Sequence, residues 1–208
     1  MPNYVANIIT VNETDERLEK FFEAVKGEES AFDFNRIIPM PEDLDIEDSS
    51  WGDNGMRYLL GEKTALDKYG EEERAKAIAL GEKYLRNRDL YGATTWYNWR
   101  RWNWGTKWNA CDVEIEGNTI KFDTAWSAPE PIYQKLAEMF VDYDVRIQWA
   151  DEDYGYNTGD AIFDAGEFCA SYPENGSDAA MELYFETHPY SRDEMHKDED
   201  GNWVWNEE

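Results

Sequence analysis

The chain is poor in basic residues, cysteine, histidine and long apolar runs, and each shortage excludes something. Lys and Arg number 20 against 46 Asp and Glu, for a formal charge of −26 over 208 residues. A general duplex-DNA binder needs a basic footprint to displace counterions from phosphates. A peripheral protein on anionic lipid needs one too. Neither duplex DNA nor a membrane surface is therefore expected as a partner. No run of about 18 apolar residues occurs, so no membrane-spanning helix is expected. The opening Met1-Pro2-Asn3-Tyr4 has no basic stretch followed by an apolar core, so no signal peptide is expected either. Two cysteines, Cys111 and Cys169, do not make a disulfide framework. The expectation is a cytoplasmic protein with reduced thiols. Asn12-Glu13-Thr14 and Asn175-Gly176-Ser177 fit the glycosylation sequon but have no role in that compartment.

Aromatic residues, in contrast, are plentiful: 15% of the chain, with 10 Trp. A disordered acidic chain would lack them, because it could not bury enough apolar area to offset chain entropy. The acidity must therefore sit on the surface of a folded body. One domain is expected over residues 1–190, with an insertion at about 40–108 and a loose acidic tail at 191–208, from which Trp203, Val204 and Trp205 could still dock.

Tyr4 to Val11 is rich in β-formers and reads as a strand. A helix follows: Thr14 stands at the N-cap, Asp15 and Glu16 suit the first turn, and Gly27 stops it. Its stripe is Leu18, Phe21, Phe22 and Val25. Phe32 to Ile38 reads as a short extended piece before a Pro-punctuated acidic loop. Met56 to Arg88 carries two helical segments broken near Tyr69-Gly70, with apolar faces at Leu59, Leu60 and Leu66, then Ala75, Ile78 and Leu85. Cys111 to Trp126 is a hairpin turning at Gly117-Asn118. That turn sets Ile115 opposite Ile120 and Val113 opposite Phe122 on one face, and Glu114 opposite Lys121 and Asp112 opposite Asp123 on the other.

Ser127-Ala-Pro-Glu130 fits a capping box before a helix with Ile132, Leu136, Met139 and Phe140 inward. Val145, Ile147 and Trp149 alternate as a strand. Further strands are expected at Ala161–Phe163, Glu167–Tyr172 and Met181–Thr187. This order predicts an α+β fold, the split β-α-β-β-α-β ferredoxin-like pattern. Helices would cover one face of an antiparallel sheet, with a helical Trp-rich insertion and extra C-terminal strands.

Three segments carry a resemblance: Asn3-Tyr4-Val5-Ala6-Asn7; Arg36-Ile37-Ile38-Pro39-Met40-Pro41; and Asn103-Trp104-Gly105-Thr106-Lys107-Trp108-Asn109-Ala110, continued in Phe122-Asp123-Thr124-Ala125-Trp126-Ser127. Over roughly residues 1–172 the chain resembles the YubB-type ferredoxin-like family of phage and plasmid proteins. Tyr4 departs from the family pattern, where Trp is more usual. The resemblance implies a ferredoxin-like fold and a mobile-element origin, hence a bacterial host cell. It carries no established activity.

Two segments compete as sites. Trp96, Trp99, Arg100, Arg101, Trp102 and Lys107, with Trp104 and Trp108 nearby, suit a stacking platform for single-stranded nucleic acid. The competing reading is that these Trp side chains pack the insertion, with Arg stacked on them. The second candidate is the acidic surface. Residues 151–208 hold 17 Asp and Glu against Arg192 and Lys197. Carboxylates arrayed this way can occupy a basic groove meant for phosphates, with fast, salt-sensitive association. The residues assigned to that surface are Asp112, Glu114, Asp123, Asp151, Glu152 and Asp153, against the plainer reading of a solvated face.

No metal or cofactor is expected. The loops from Asp151 and Asp198 depart from the EF-hand, and Cys111, Cys169, His188 and His196 include no Cys-x-x-Cys pair. Gly61-Glu62-Lys63-Thr64 is not a phosphate loop, since Glu62 would repel phosphate. A Cys–His pairing stays open, and an enzyme on a small substrate is a third reading. The leading expectation is a non-catalytic protein that binds a basic host protein, a nucleic-acid-binding defence protein in particular.

Overall fold

The computed structural model describes residues 3–206. The chain divides into two compact units, one joining the N-terminal stretch up to Ile38 with Trp108 onward, the other Pro39–Lys107. In chain order the elements are β1 (Tyr4–Val11), α1 (Asp15–Val25), α2 (Phe34–Ile37), α3 (Ser50–Leu59), α4 (Glu71–Tyr91), α5 (Trp96–Asn103), β2 (Cys111–Glu116), β3 (Thr119–Ala125), α6 (Glu130–Met139), β4 (Val145–Asp151), β5 (Gly159–Asp164), β6 (Glu167–Ser171), α7 (Asp178–Thr187), α8 (Ser191–Glu194), β7 (Met195–Lys197) and β8 (Trp203–Trp205).

The first unit is built on a six-stranded antiparallel sheet in the order β2-β3-β1-β4-β5-β6. β1 to β4 with α1 and α6 make the ferredoxin-like core, and β5 and β6 extend it beyond β4. Alternation along the strands creates the core face. Val5, Asn7, Ile9 and Val11 of β1 lie buried beside Ile120, Phe122 and Thr124 of β3 and beside Val145, Ile147 and Trp149 of β4. Phe32 and Phe34 pack on Phe122 at ring distances of 4.8 and 6.0 Å, which brings α2 onto this face. Tyr133 of α6 packs on Trp149 and donates its hydroxyl proton to Asn7 Oδ1 at 2.6 Å. The Asn7 amide donates in turn to Val5 O and Thr124 Oγ1, so this buried polar side chain is satisfied on both ends.

The opposite face is also partly covered. Ala150 clusters there with Met181, Tyr184 and Phe185 of α7, with Met195, and with Trp203 packed against them. Met181–Thr187, expected as a strand, is thus part of a helix. Alternation of Met181, Leu183 and Phe185 fits a strand, but Ala180, Met181, Tyr184 and Phe185 fit the helical stripe equally well. Ser177 decides locally: its hydroxyl accepts from Ala180 N at 3.2 Å as an N-cap. Residues 191–206, expected as a loose tail, form α8 and the β7–β8 hairpin, with Met195 buried.

Three local expectations are corrected. Phe34–Ile37 is one helical turn, capped when Asp33 accepts from Asn35 N. Pro129, not Ser127, takes the N-cap place of α6, and Glu130 opens the helix rather than standing three residues in. The hairpin pairs Ile115 with Ile120 and Glu114 with Lys121 as expected, but a bulge between Cys111 and Glu114 sets Cys111 opposite Asp123. Asp112, with φ of 48°, therefore does not face Asp123 across the ladder.

In the second unit, α3 and α4 pack through small residues. A Cβ on Gly55 would sit 1.8 Å from the Ala77 carbonyl oxygen, and one on Gly81 would sit 2.3 Å from Gly55 C. This close approach buries Ala77, Gly81 and Tyr84, and leaves the expected apolar residues Leu59, Leu60 and Ala75 exposed. Polar contacts close the unit. Tyr84 donates to Glu47 O at 2.6 Å, and Asn87 donates to Asp43 O and Thr94 O.

Candidate acidic interface

The antiparallel register brings three strand ends to one corner of the sheet. Ala6 of β1 pairs with Asp123 of β3 on one side and Ala150 of β4 on the other. Just beyond, Glu152 N donates to Tyr4 O at 3.0 Å. The β2 bulge puts Asp112 at the same corner. Asp112 and Glu152 are close enough to Asp123 that their charges, together with burial as the larger cause, raise its carboxyl above the ordinary range. Among the described residues no salt bridge neutralises Asp112, Asp123 or Glu152. Elsewhere cations are locally paired, as with Lys121 on Glu116 at 2.6 Å and Arg146 on Asp160 at 2.9 Å. The corner thus holds several carboxylates without a counterion.

The six residues assigned to this surface separate into groups. Asp112 and Glu152 each lie near enough to Asp123 at the corner to act on its charge. Glu114 is exposed further along β2, opposite Lys121. Asp151 is 7% exposed and is a loop-forming residue. Its Oδ1 accepts from Asn3 Nδ2 and from Asp153 N, and its Oδ2 from Asn157 Nδ2. Asp153 is exposed, and its Oδ2 accepts from Asn3 Nδ2 at 3.1 Å. The turn from Asp151 to Asn157 is therefore tied to the start of β1, and it presents Glu152 and Asp153 outward.

The Trp-rich segment is organised differently. Trp99 and Trp104 are buried, at 7% and 2% exposure, and meet edge to face at 5.9 Å. The Arg100 guanidinium lies between the Trp96 and Trp104 rings, at 5.0 and 4.9 Å. Arg101 and Lys107 both lie over Tyr97. Trp102 stands out, 60% exposed. Packing therefore takes up much of what the spacing offered as a stacking platform.

The cysteines and histidines do not assemble. Cys111 donates weakly to Asn109 O at 3.5 Å, and burial with the charges of Asp112 and Asp123 pushes its thiol up, away from a reactive thiolate. Cys169 is exposed on β6. His188 stacks on Tyr184 at 4.4 Å, and burial lowers its pKa. Among the described residues, no three His, Cys, Asp or Glu side chains are grouped to hold a metal ion. No helix there is long and apolar enough to cross a membrane.

Nothing in the periodicity singles out Tyr154, Tyr156 and Trp203, yet all three line a groove that Asp153 also borders. The one sequence signal is Tyr-Gly-Tyr inside an acidic loop.

The sheet order and the helix placement define a ferredoxin-like α+β protein with a helical unit and an added C-terminal hairpin. More particularly, residues 103–196 match the family model described as "Ferredoxin-like domain in Api92-like protein". The crystal structure of a protein api92 from Yersinia pseudotuberculosis is similar at a TM-score of 0.39 and 9% identity, over 85% of this chain and 100% of that one. No curated protein matches the chain.

Proposed function

We propose that the chain is a non-catalytic accessory protein of phage or plasmid type that binds a basic host protein in the bacterial cytoplasm. The partner class is a nucleic-acid-binding protein, such as a defence nuclease, whose groove for phosphates receives this acidic surface. The observation that carries the reading is the corner where Asp112 and Glu152 each act on Asp123 and, among the described residues, no salt bridge neutralises any of the three. Like charges held together lower the stability of the folded state, so their presence on an accessible face fits a binding role. A cationic groove would supply the counterions that the corner lacks, and association would be steered and salt-sensitive. The mobile-element origin rests on the resemblance to the YubB-type family.

A pull-down from nuclease-treated bacterial lysate, eluted with a salt gradient, tests this. A basic nucleic-acid-binding protein released by moderate salt is expected. Asp112→Lys with Asp123→Lys should weaken its capture, while Glu19→Lys with Glu82→Lys, the same charge change on exposed helix positions, should not. Equal loss in both pairs would reduce the effect to net charge.

A second reading, binding of single-stranded nucleic acid by α5, draws on one observation, the exposed Trp102 beside exposed Arg101. Quenching of Trp fluorescence by oligonucleotides at low salt, lost in Trp102→Ala, would favour it. Absence of quenching would remove it.

A further inference from the structure

Resting on the acidic-surface reading, we propose that the groove beside the corner is a subsite for one arginine side chain of the basic partner. The groove measures about 440 Å³, within the range of ligand sites, and its lining includes Asp153, Tyr154, Tyr156, Met181, Asn202 and Trp203. Three aromatic side chains, a thioether and a carboxylate are thus among the groups lining the groove. Ring faces carry negative charge density and attract cations. A planar guanidinium can stack on such faces and also donate to a carboxylate, which a strongly hydrated ammonium does less well. No Lys or Arg is among the described lining residues, so the lining itself supplies no cation to pair with Asp153.

The walls are braced rather than loose. Gly176 N donates to Gly155 O at 2.8 Å, tying the Tyr-Gly-Tyr loop to the turn before α7. Gly155 has φ of +73°, and a Cβ there would come 2.8 Å from Met181 Sδ. A glycine between the two tyrosines is therefore what lets the loop backbone approach Met181 so closely. Tyr154 meets Trp205 edge to face at 6.1 Å, and Trp203 meets Phe185 at 4.9 Å. Trp203 already accepts one cation, since Lys197 lies 5.4 Å from its ring centre and is held by Asp178, outside the groove lining. Charge complementarity selects the occupant: the groove lies in the stretch of 17 carboxylates against two cations.

The probe is L-arginine amide, titrated into the full chain at constant ionic strength and followed by the indole N–H signals in a proton–nitrogen spectrum. Trp203→Phe assigns the Trp203 signal. A saturable shift of that signal is expected, about tenfold weaker with L-citrulline amide, which keeps the α-amino group but has an uncharged side chain, and about tenfold weaker in Tyr156→Ala or Asp153→Asn. Both changes are at exposed positions, and an unchanged unfolding midpoint would show that the variants keep the fold. No saturation, an equal shift with citrulline amide, or the same shift at every indole would overturn the subsite. Loss of arginine binding with intact salt-sensitive capture would remove the subsite and leave the acidic surface. Arginine binding with an empty pull-down would do the reverse.

Discussion

In the helical unit, Trp99 and Trp104 turn inward and the Arg100 guanidinium lies between two indoles. In the sheet unit, Asp112 and Glu152 lie near the half-buried Asp123, and among the described residues none of the three is in a salt bridge. Both segments stand out in the sequence, and the fold treats them in opposite ways. An indole gains free energy by leaving water, so a Trp-rich run is taken into a core wherever packing allows. An unpaired carboxylate loses free energy on burial, so a surplus of carboxylates must stay at the surface. A conspicuous aromatic run is therefore weak evidence for a binding platform. An unneutralised acidic corner retains its capacity to meet a partner.

The largest test of that contrast is within α5 and the residue after it. Trp104→Ala should cost about 3–5 kcal/mol of stability, as for a buried aromatic, while Trp102→Ala should stay within about 0.5 kcal/mol. Urea denaturation measures both. Equal costs would mean that Trp102 is also a packing residue and would remove the second reading of α5.

A middle-sized effect sharpens the comparison from inside the sheet. Tyr133→Phe deprives the buried Asn7 Oδ1 of its 2.6 Å donor and should cost about 1–3 kcal/mol. A neutral result would show that this interior tolerates an unmet polar group.

The smallest effect is at the corner and has the opposite sign. Folding raises the Asp123 pKa, so the folded state holds its proton more tightly than the unfolded chain, whose value is about 3.9. Stability from this group is therefore lost as pH rises from the unfolded value through the folded one. Asp123→Asn should raise the unfolding midpoint at pH 7, and the gap should close as the pH falls below the unfolded value. Added salt should narrow it further by screening Asp112 and Glu152. A lower midpoint for Asp123→Asn at pH 7 would show that the carboxylate is compensated, and would break the contrast between the two regions.

The hairpin shows how far local pattern reaches. Two turn residues and alternation were enough for Ile115 opposite Ile120 and Glu114 opposite Lys121. The bulge at Asp112 was not legible, because an extra residue in one strand leaves the alternation on each side plausible. In α7, Met181 to Phe185 satisfies both periods over so short a span that only the cap at Ser177 and the packing on Ala150 separate them. The small-residue packing of α3 on α4 was hidden for a related reason. A hydrophobic stripe marks Leu59 and Ile78, whereas the contact is made by Gly55, Ala77 and Gly81, which carry almost no hydrophobic signal.

Local sequence therefore determined the strand and helix order of the ferredoxin-like core, the hairpin register near its turn, and a surface that must be acidic. These follow from periodicity, turn chemistry and the impossibility of burying so many charges, all of which act over a few residues or over composition. Only the tertiary structure decided which carboxylates meet, which Trp is buried, and that Tyr154, Tyr156 and Trp203 line one groove. Those depend on residues far apart in the chain being brought together by strand pairing and helix packing, and no short-range pattern encodes them.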